Sequence, residues 1–148
     1  MRNKIPPPII SLFFGLCIYF SKDYFFSFEY KFLDTLSYIS YLMGLCILIL
    51  AVNSFKKQNT TVNPIKIENA SSLVTSGIFE YSRNPMYLGM AIILFGLALM
   101  FNVIGGTLFT VLFAIYITKF QIRPEEEVME RLFGEDFLQY KQNVRMWL

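Results

Sequence analysis

The side chains of chemical interest in this sequence fall in two short stretches. Residues 80–87 read Glu80-Tyr81-Ser82-Arg83-Asn84-Pro85-Met86-Tyr87, and residues 123–127 read Arg123-Pro124-Glu125-Glu126-Glu127. A guanidinium is a strong, two-pronged partner for a carboxylate. Paired glutamates accept hydrogen bonds from ribose hydroxyls or hold an ammonium. A site combining both suits a zwitterionic, ribose-bearing ligand. Each residue also has a plainer role open to it. Asn84 and Pro85 suit the N-cap and first turn of a helix, and Arg83 suits a membrane-surface anchor. Pro124 suits the start of a second helix, where Glu125 to Glu127 would complement the positive end of the dipole, at about 0.3–1 kcal/mol each.

Other chemistries are poorly served. The 148 residues include no histidine, so Ser-His-Asp and Cys-His catalysis and imidazole-ligated metals are excluded. The two cysteines, Cys17 and Cys46, lie in apolar runs and are expected to be buried as small hydrophobes. No metal site is expected. No glycine-rich turn follows a strand pattern, which argues against a Rossmann-type cofactor site. A net charge of +2 gives no footprint for nucleic acid.

The elements that must position these stretches are membrane helices. The chain is 55% hydrophobic and 18% aromatic with 16% charged residues, against about 25% charged in soluble domains. A membrane-spanning helix needs about 20 apolar residues, within a range of about 17–25. Four stretches come near that: residues 5–20, 36–55, 85–101 and 107–122. The expected fold is all-α, a single-domain integral membrane bundle over residues 1–148 with a helical cytoplasmic tail over 123–148. Residues 102–106 read as the turn of a tight hairpin between the last two spans. Residues 56–72 read as a polar loop. The first span follows Arg2 and Lys4 but opens on three prolines and lacks a small-residue cleavage site, so it reads as a retained span rather than a leader.

With both termini in the cytoplasm, all 13 lysines and arginines except Lys22 and Lys31 fall on the inner side. The positive-inside rule therefore favours that orientation, in what reads as a bacterial inner membrane. In the tail, Val128, Leu132 and Phe133 share a helical face and Met129 pairs with Phe133. Gly134 suits a helix end, with Asp136 placed to cap a second short helix through Tyr140. The hairpin brings residues 80–87 and 123–127 together at the cytoplasmic surface.

At this point the pattern becomes specific. Residues 73–89, Leu-Val-Thr-Ser-Gly-Ile-Phe-Glu-Tyr-Ser-Arg-Asn-Pro-Met-Tyr-Leu-Gly, resemble a signature of the membrane-bound isoprenylcysteine carboxyl methyltransferases. Related phospholipid methyltransferases carry similar patterns. Pro124-Glu125-Glu126 with Phe133-Gly134, Tyr140 and residues 144–148 resembles the second signature. The resemblance implies S-adenosylmethionine as cofactor, held between the last two spans and the C-terminal segment. It further implies a lipophilic or prenylated acceptor arriving from the membrane lipids. Carried over residue by residue, Tyr81, Arg83, Asn84, Pro85, Tyr87, Leu88 and Gly89 match the first cofactor-contacting motif, and Glu125 and Glu126 the second. Arg83 and Arg123 are the candidate catalytic residues, Arg123 by orienting a substrate carboxylate. Asn84 stands where eukaryotic members have histidine, and Phe79 and Phe137 stand where tyrosines are common.

Methyl transfer from a sulfonium is an in-line displacement, in which alignment and desolvation suffice for a carboxylate or thiolate acceptor. The absence of histidine is no obstacle to it. Alanine at Arg83 or Glu126 is expected to abolish cofactor binding without unfolding the chain. The other readings are a phospholipid amine N-methyltransferase, a membrane reductase using a nicotinamide cofactor, and a non-enzymatic four-helix membrane protein.

Overall fold

The computed structural model describes residues 5–25, 28, 30–57 and 72–148. Arg2, Lys4 and Lys66, used in the orientation argument, and most of the expected loop over 56–72 lie outside these residues. Among the described residues there are five α-helices, α1 Pro7–Phe20, α2 Lys31–Lys57, α3 Pro85–Phe101, α4 Val103–Ile117 and α5 Arg123–Asn143, and no strand.

The bundle is built around α3. This helix is apolar on every side, from Pro85-Met86-Tyr87 to Leu99-Met100-Phe101, and a helix of that kind is covered all round. It packs against α1, α2 and α4. Against α2 the contact is close because small residues face each other. A Cβ on Gly89 would meet Gly44 O at 2.9 Å, one on Gly44 would meet Gly89 O at 2.8 Å, and one on Gly96 would meet the Tyr41 ring at 2.8 Å. Small residues let helix backbones approach where no hydrophobic effect draws them together, as in a bilayer. The pairings run in opposite directions along the two chains, so α2 and α3 are antiparallel.

The outer surface is the reverse of a soluble protein's. Leu12, Phe13 and Leu16 of α1, Leu42, Leu45 and Ile49 of α2, and Leu108, Val111 and Ile115 of α4 are all exposed. Apolar faces of this extent are covered by lipid in a membrane protein. By length and composition α2 qualifies as a span, as does the continuous helical run Val103–Asn143, while Pro7–Phe20 and Pro85–Phe101 are shorter apolar helices. The fold is an all-α membrane bundle. Cys17 is half-buried, and Cys46, expected inside, is exposed. It lies on α2 among lipid-facing residues, where a thiol serves as well as a methyl group.

Two expectations about the hairpin need correction. The turn between α3 and α4 is a single residue, Asn102, rather than residues 102–106. Its side chain accepts a hydrogen bond from Gly106 N at 2.8 Å and so caps α4. That capping lets helix begin at Val103 despite Gly105 and Gly106. The same amide donates to Ile18 O at 3.2 Å and Ser21 Oγ at 3.1 Å, tying the end of α1 to the turn. Asn102 is 1% exposed, so Asn102→Ala would remove the side-chain cap of α4 and the two buried hydrogen bonds that tie the turn to α1. A loss of about 2–3 kcal/mol is expected, read as a lowered thermal unfolding midpoint in detergent micelles.

The second correction concerns Pro124, which does not open a separate helix. Residues Thr118–Ile122 form a π-helical turn that joins α4 to α5 without a break. Proline has no N–H to give and its ring crowds the carbonyl four residues back. Widening the preceding turn accommodates both.

The tail folds back on itself. Gly134 adopts φ 50° and ψ −124° inside α5, a conformation that glycine reaches readily and other residues do not. Fifteen residues of straight helix would separate residues 126 and 141 by about 22 Å. Instead Lys141 Nζ lies 4.0 Å from Glu126 Oε2. The folded tail closes a second core of Ala51, Val74, Phe79, Phe137 and Tyr140. Val128 is buried as expected, but Leu132 is 43% exposed, because the bend swings the covering segment towards Met129 and Phe133 instead. Helix continues to Asn143, beyond Tyr140.

Candidate functional site

Arg83 stands at the centre of the site. It lies two residues before α3, and its side chain reaches across to α5. Nε and Nη2 donate to Glu126 Oε1 at 3.0 and 2.7 Å. Nη1 donates to Lys141 O at 3.2 Å and to Val144 O. Four of the five guanidinium hydrogens are thus committed to the tail. The two side chains are 8% and 13% exposed, so this is a buried ion pair.

The residues around Arg83 extend the same grip. Arg83 N donates to Arg145 O at 3.0 Å, and Asn84 Nδ2 donates to Met146 O at 3.1 Å. Ser82 Oγ lies 3.5 Å from Met146 O and accepts from Asn84 N at 3.1 Å. Trp147 Nε1 donates to Thr118 Oγ1 at 3.2 Å, and Met146 and Trp147 pack against the core formed with Tyr87, Ile117 and Ile122. Tyr140 OH donates to Phe79 O at 2.7 Å. Burial raises the Tyr140 phenol above its ordinary pKa, with Arg83 opposing and Glu126 adding to the shift. It is therefore a neutral donor at physiological pH. Residues 144–147 are thus strapped over the mouth of the α3–α4 hairpin by groups from both of its ends.

A second group sits deeper. Tyr87 OH donates to Glu125 Oε1 at 2.7 Å, and Gln121 Nε2 donates to the same oxygen. Tyr87 and Gln121 are 6% and 3% exposed. The π turn places Gln121 towards α3 rather than towards lipid. Its Oε1 is buried and has no hydrogen-bond partner among the described residues.

Of the residues picked out in the sequence, Arg83, Asn84, Tyr87, Glu125 and Glu126 converge here. Pro85 is buried at the start of α3, and Leu88 is half-buried. Tyr81 is 71% exposed, and Arg123 and Glu127 are exposed. None of these three joins the network. Gly89 faces α2 across the Gly44 crossing, which makes it a packing residue. Phe79 and Phe137, noted as departures, fill the second core. Gln121 and Thr118 were missed, and Trp147 is marked only as part of the stretch 144–148 in the second signature. The first two sit in an otherwise apolar span, and nothing local marks the face a π turn presents. No group of three or more metal-ligating side chains occurs among the described residues. A cavity of about 390 Å³ lined by Phe28, Tyr30, Lys31, Asp34 and residues 99–103 lies at the opposite end of the bundle.

Comparison with known proteins places this geometry in context. The phospholipid methyltransferase family profile matches residues 32–136. The chain is 38% identical over 63 residues to an uncharacterized protein of Haemophilus influenzae, covering 43% of this chain and all of that one. It is 35% identical over 75 residues to the protein-S-isoprenylcysteine O-methyltransferase of Schizosaccharomyces pombe, covering 49% of this chain and 30% of that one. It is 29% identical over 121 residues to a probable protein-S-isoprenylcysteine O-methyltransferase of Oryza sativa subsp. indica, covering 81% and 63%. The chain thus spans less than two thirds of either of these two named relatives. No solved structure matches it significantly.

Proposed function

We propose that this chain, which belongs to the phospholipid methyltransferase family, transfers a methyl group from S-adenosylmethionine to a lipophilic acceptor at the cytoplasmic membrane face. The observation that carries the reading is the convergence of Arg83, Glu126, Tyr87 and Glu125 at the base of one membrane hairpin, under the C-terminal strap. Both termini are cytoplasmic in this reading, because the basic residues concentrate on that side.

The residues present fit an S-adenosyl ligand. The site is rich in acceptors, with two carboxylates and a buried amide oxygen that lacks a donor. Such a ligand brings an ammonium and ribose hydroxyls. Glu125 and Glu126 would hold it, Tyr87 would fix the Glu125 carboxylate, and Arg83 has one Nη2 hydrogen left for a carboxylate. When bound, the cofactor supplies an activated methyl, whose C–S bond breaks with its electron pair passing to sulfur as the bond to the acceptor forms. The strap and the apolar walls of α3 and α4 exclude water from that place, which strengthens every polar contact inside it. Arg123 is exposed, and on the cytoplasmic side it would meet an acceptor at the membrane surface rather than the cofactor.

The acceptor in this reading is an isoprenylcysteine-like carboxylate or thiol, following the named relatives. A phospholipid amine is the second reading, favoured by the family description. Calorimetry with S-adenosylhomocysteine is expected to show saturable one-site binding to the purified chain. Transfer of a radiolabelled methyl to bacterial lipid extracts then separates the acceptors. A carboxyl methyl ester releases volatile methanol on mild base treatment, whereas N-methyl and S-methyl products do not. Absence of S-adenosylhomocysteine binding by a folded, monodisperse sample would overturn the methyltransferase reading.

A further inference from the structure

Gln121 belongs to neither signature, yet it is among the most buried polar residues of the chain, at 3% exposed. Chemistry fixes the orientation of its amide. Nε2 faces Glu125 Oε1, and an ionised carboxylate only accepts. The reversed amide would set two acceptors against each other. Oε1 is therefore the atom turned away from Glu125, and no described residue donates to it.

The donors nearby are already committed. Tyr87 OH gives its hydrogen to Glu125, and Trp147 Nε1 gives its hydrogen to Thr118. A buried acceptor without a donor is destabilising, and methionine would fill the same space without that penalty. An amide held in this way, beside a carboxylate and between the two signature stretches, is an arrangement in need of a donor that no described residue supplies.

We propose that Gln121 Oε1 is a ligand-binding atom of the hairpin site, accepting an N–H or O–H from the methyl donor. The inference rests on the methyltransferase reading and deepens it. The donated hydrogen belongs either to the ammonium of the amino-acid portion or to the nucleoside portion.

Calorimetry on the full chain in detergent tests this, beginning with the unsubstituted protein and S-adenosylhomocysteine. Failure of that protein to bind overturns the methyltransferase reading and this inference with it. Once binding is established, Gln121→Met is expected to weaken it about tenfold, the scale of one buried hydrogen bond. Gln121→Glu, which at this distance shares one proton with Glu125, keeps both the donor to Glu125 and an acceptor at the same place, and is expected to bind within about threefold of the unsubstituted protein. It also keeps the test open should the methionine variant fail to fold. Unchanged affinity in Gln121→Met overturns the inference. Equal weakening in both variants also overturns it, because the acceptor that the glutamate retains would then contribute nothing to binding. 5′-Methylthioadenosine, which lacks the amino-acid portion, locates the donor. Loss confined to S-adenosylhomocysteine assigns it to the ammonium, and loss with both ligands assigns it to the nucleoside.

Discussion

Replacing Arg83 by alanine is expected to release the C-terminal strap and to cost about 3 kcal/mol of stability, the low end for a broken buried pair, because the Glu126 carboxylate keeps only the half-exposed Lys141 Nζ at 4.0 Å. The guanidinium holds Glu126 on one side and the carbonyls of Lys141 and Val144 on the other. Among the described residues no other side chain joins both halves of the folded tail to the start of α3. Trypsin cleavage after Lys141 and Arg145 reports release directly, and thermal unfolding in micelles reports the energy. Arg83→Lys keeps the charge but cannot reproduce the fork, and should fall between the two. A tail that stays protease-resistant in a stable Arg83→Ala variant would refute the strapping role. From the sequence alone, alanine at Arg83 or Glu126 is expected to abolish cofactor binding without unfolding. The geometry changes that expectation, since loss of binding at either position follows from loss of the strap as well as from loss of a ligand contact.

The difference between the two readings shows which parts of the molecule a sequence exposes. The apolar segments were legible because hydrophobicity over a span-length window is a composition signal that tertiary context does not alter. The start of α3 was legible from Asn84-Pro85, and the break at Gly134 from the need for a positive φ. The convergence of residues 80–87 and 123–127 followed from hairpin topology alone. What stayed hidden depends on partners far along the chain. Gly89 reads as a motif residue until Gly44 is seen opposite it. Asn102 reads as turn filler until its bonds to Ile18 and Ser21 are seen. The strap was hidden most completely, because Arg83 and Asn84 grip backbone carbonyls, and a carbonyl carries no side-chain signature. Gln121 was hidden by the π turn, which alters the helical face it occupies.

Glu125→Gln is the substitution that separates ligand binding from folding. Glu125 sits apart from the strap, held by Tyr87 OH at 2.7 Å and by Gln121 Nε2. A glutamine there keeps the shape and still accepts from Tyr87 through its own amide oxygen, so the unfolding midpoint should stay close to that of the unsubstituted chain. What it loses is the negative charge. Hydrogen bonds to a charged group contribute about 1.5–3 kcal/mol each, and a single such bond corresponds to about 10–100-fold in affinity. S-Adenosylhomocysteine binding is expected to weaken by that factor in Glu125→Gln, and to fall below detection in Glu125→Ala, which also leaves two buried donors unpaired. Tyr87→Phe, which removes one of the two bonds ordering the carboxylate, should weaken binding by less than Glu125→Gln. Glu125→Gln binding with unchanged affinity would mean that the carboxylate orders only the protein, and would move the cofactor contacts to Glu126 and the strap.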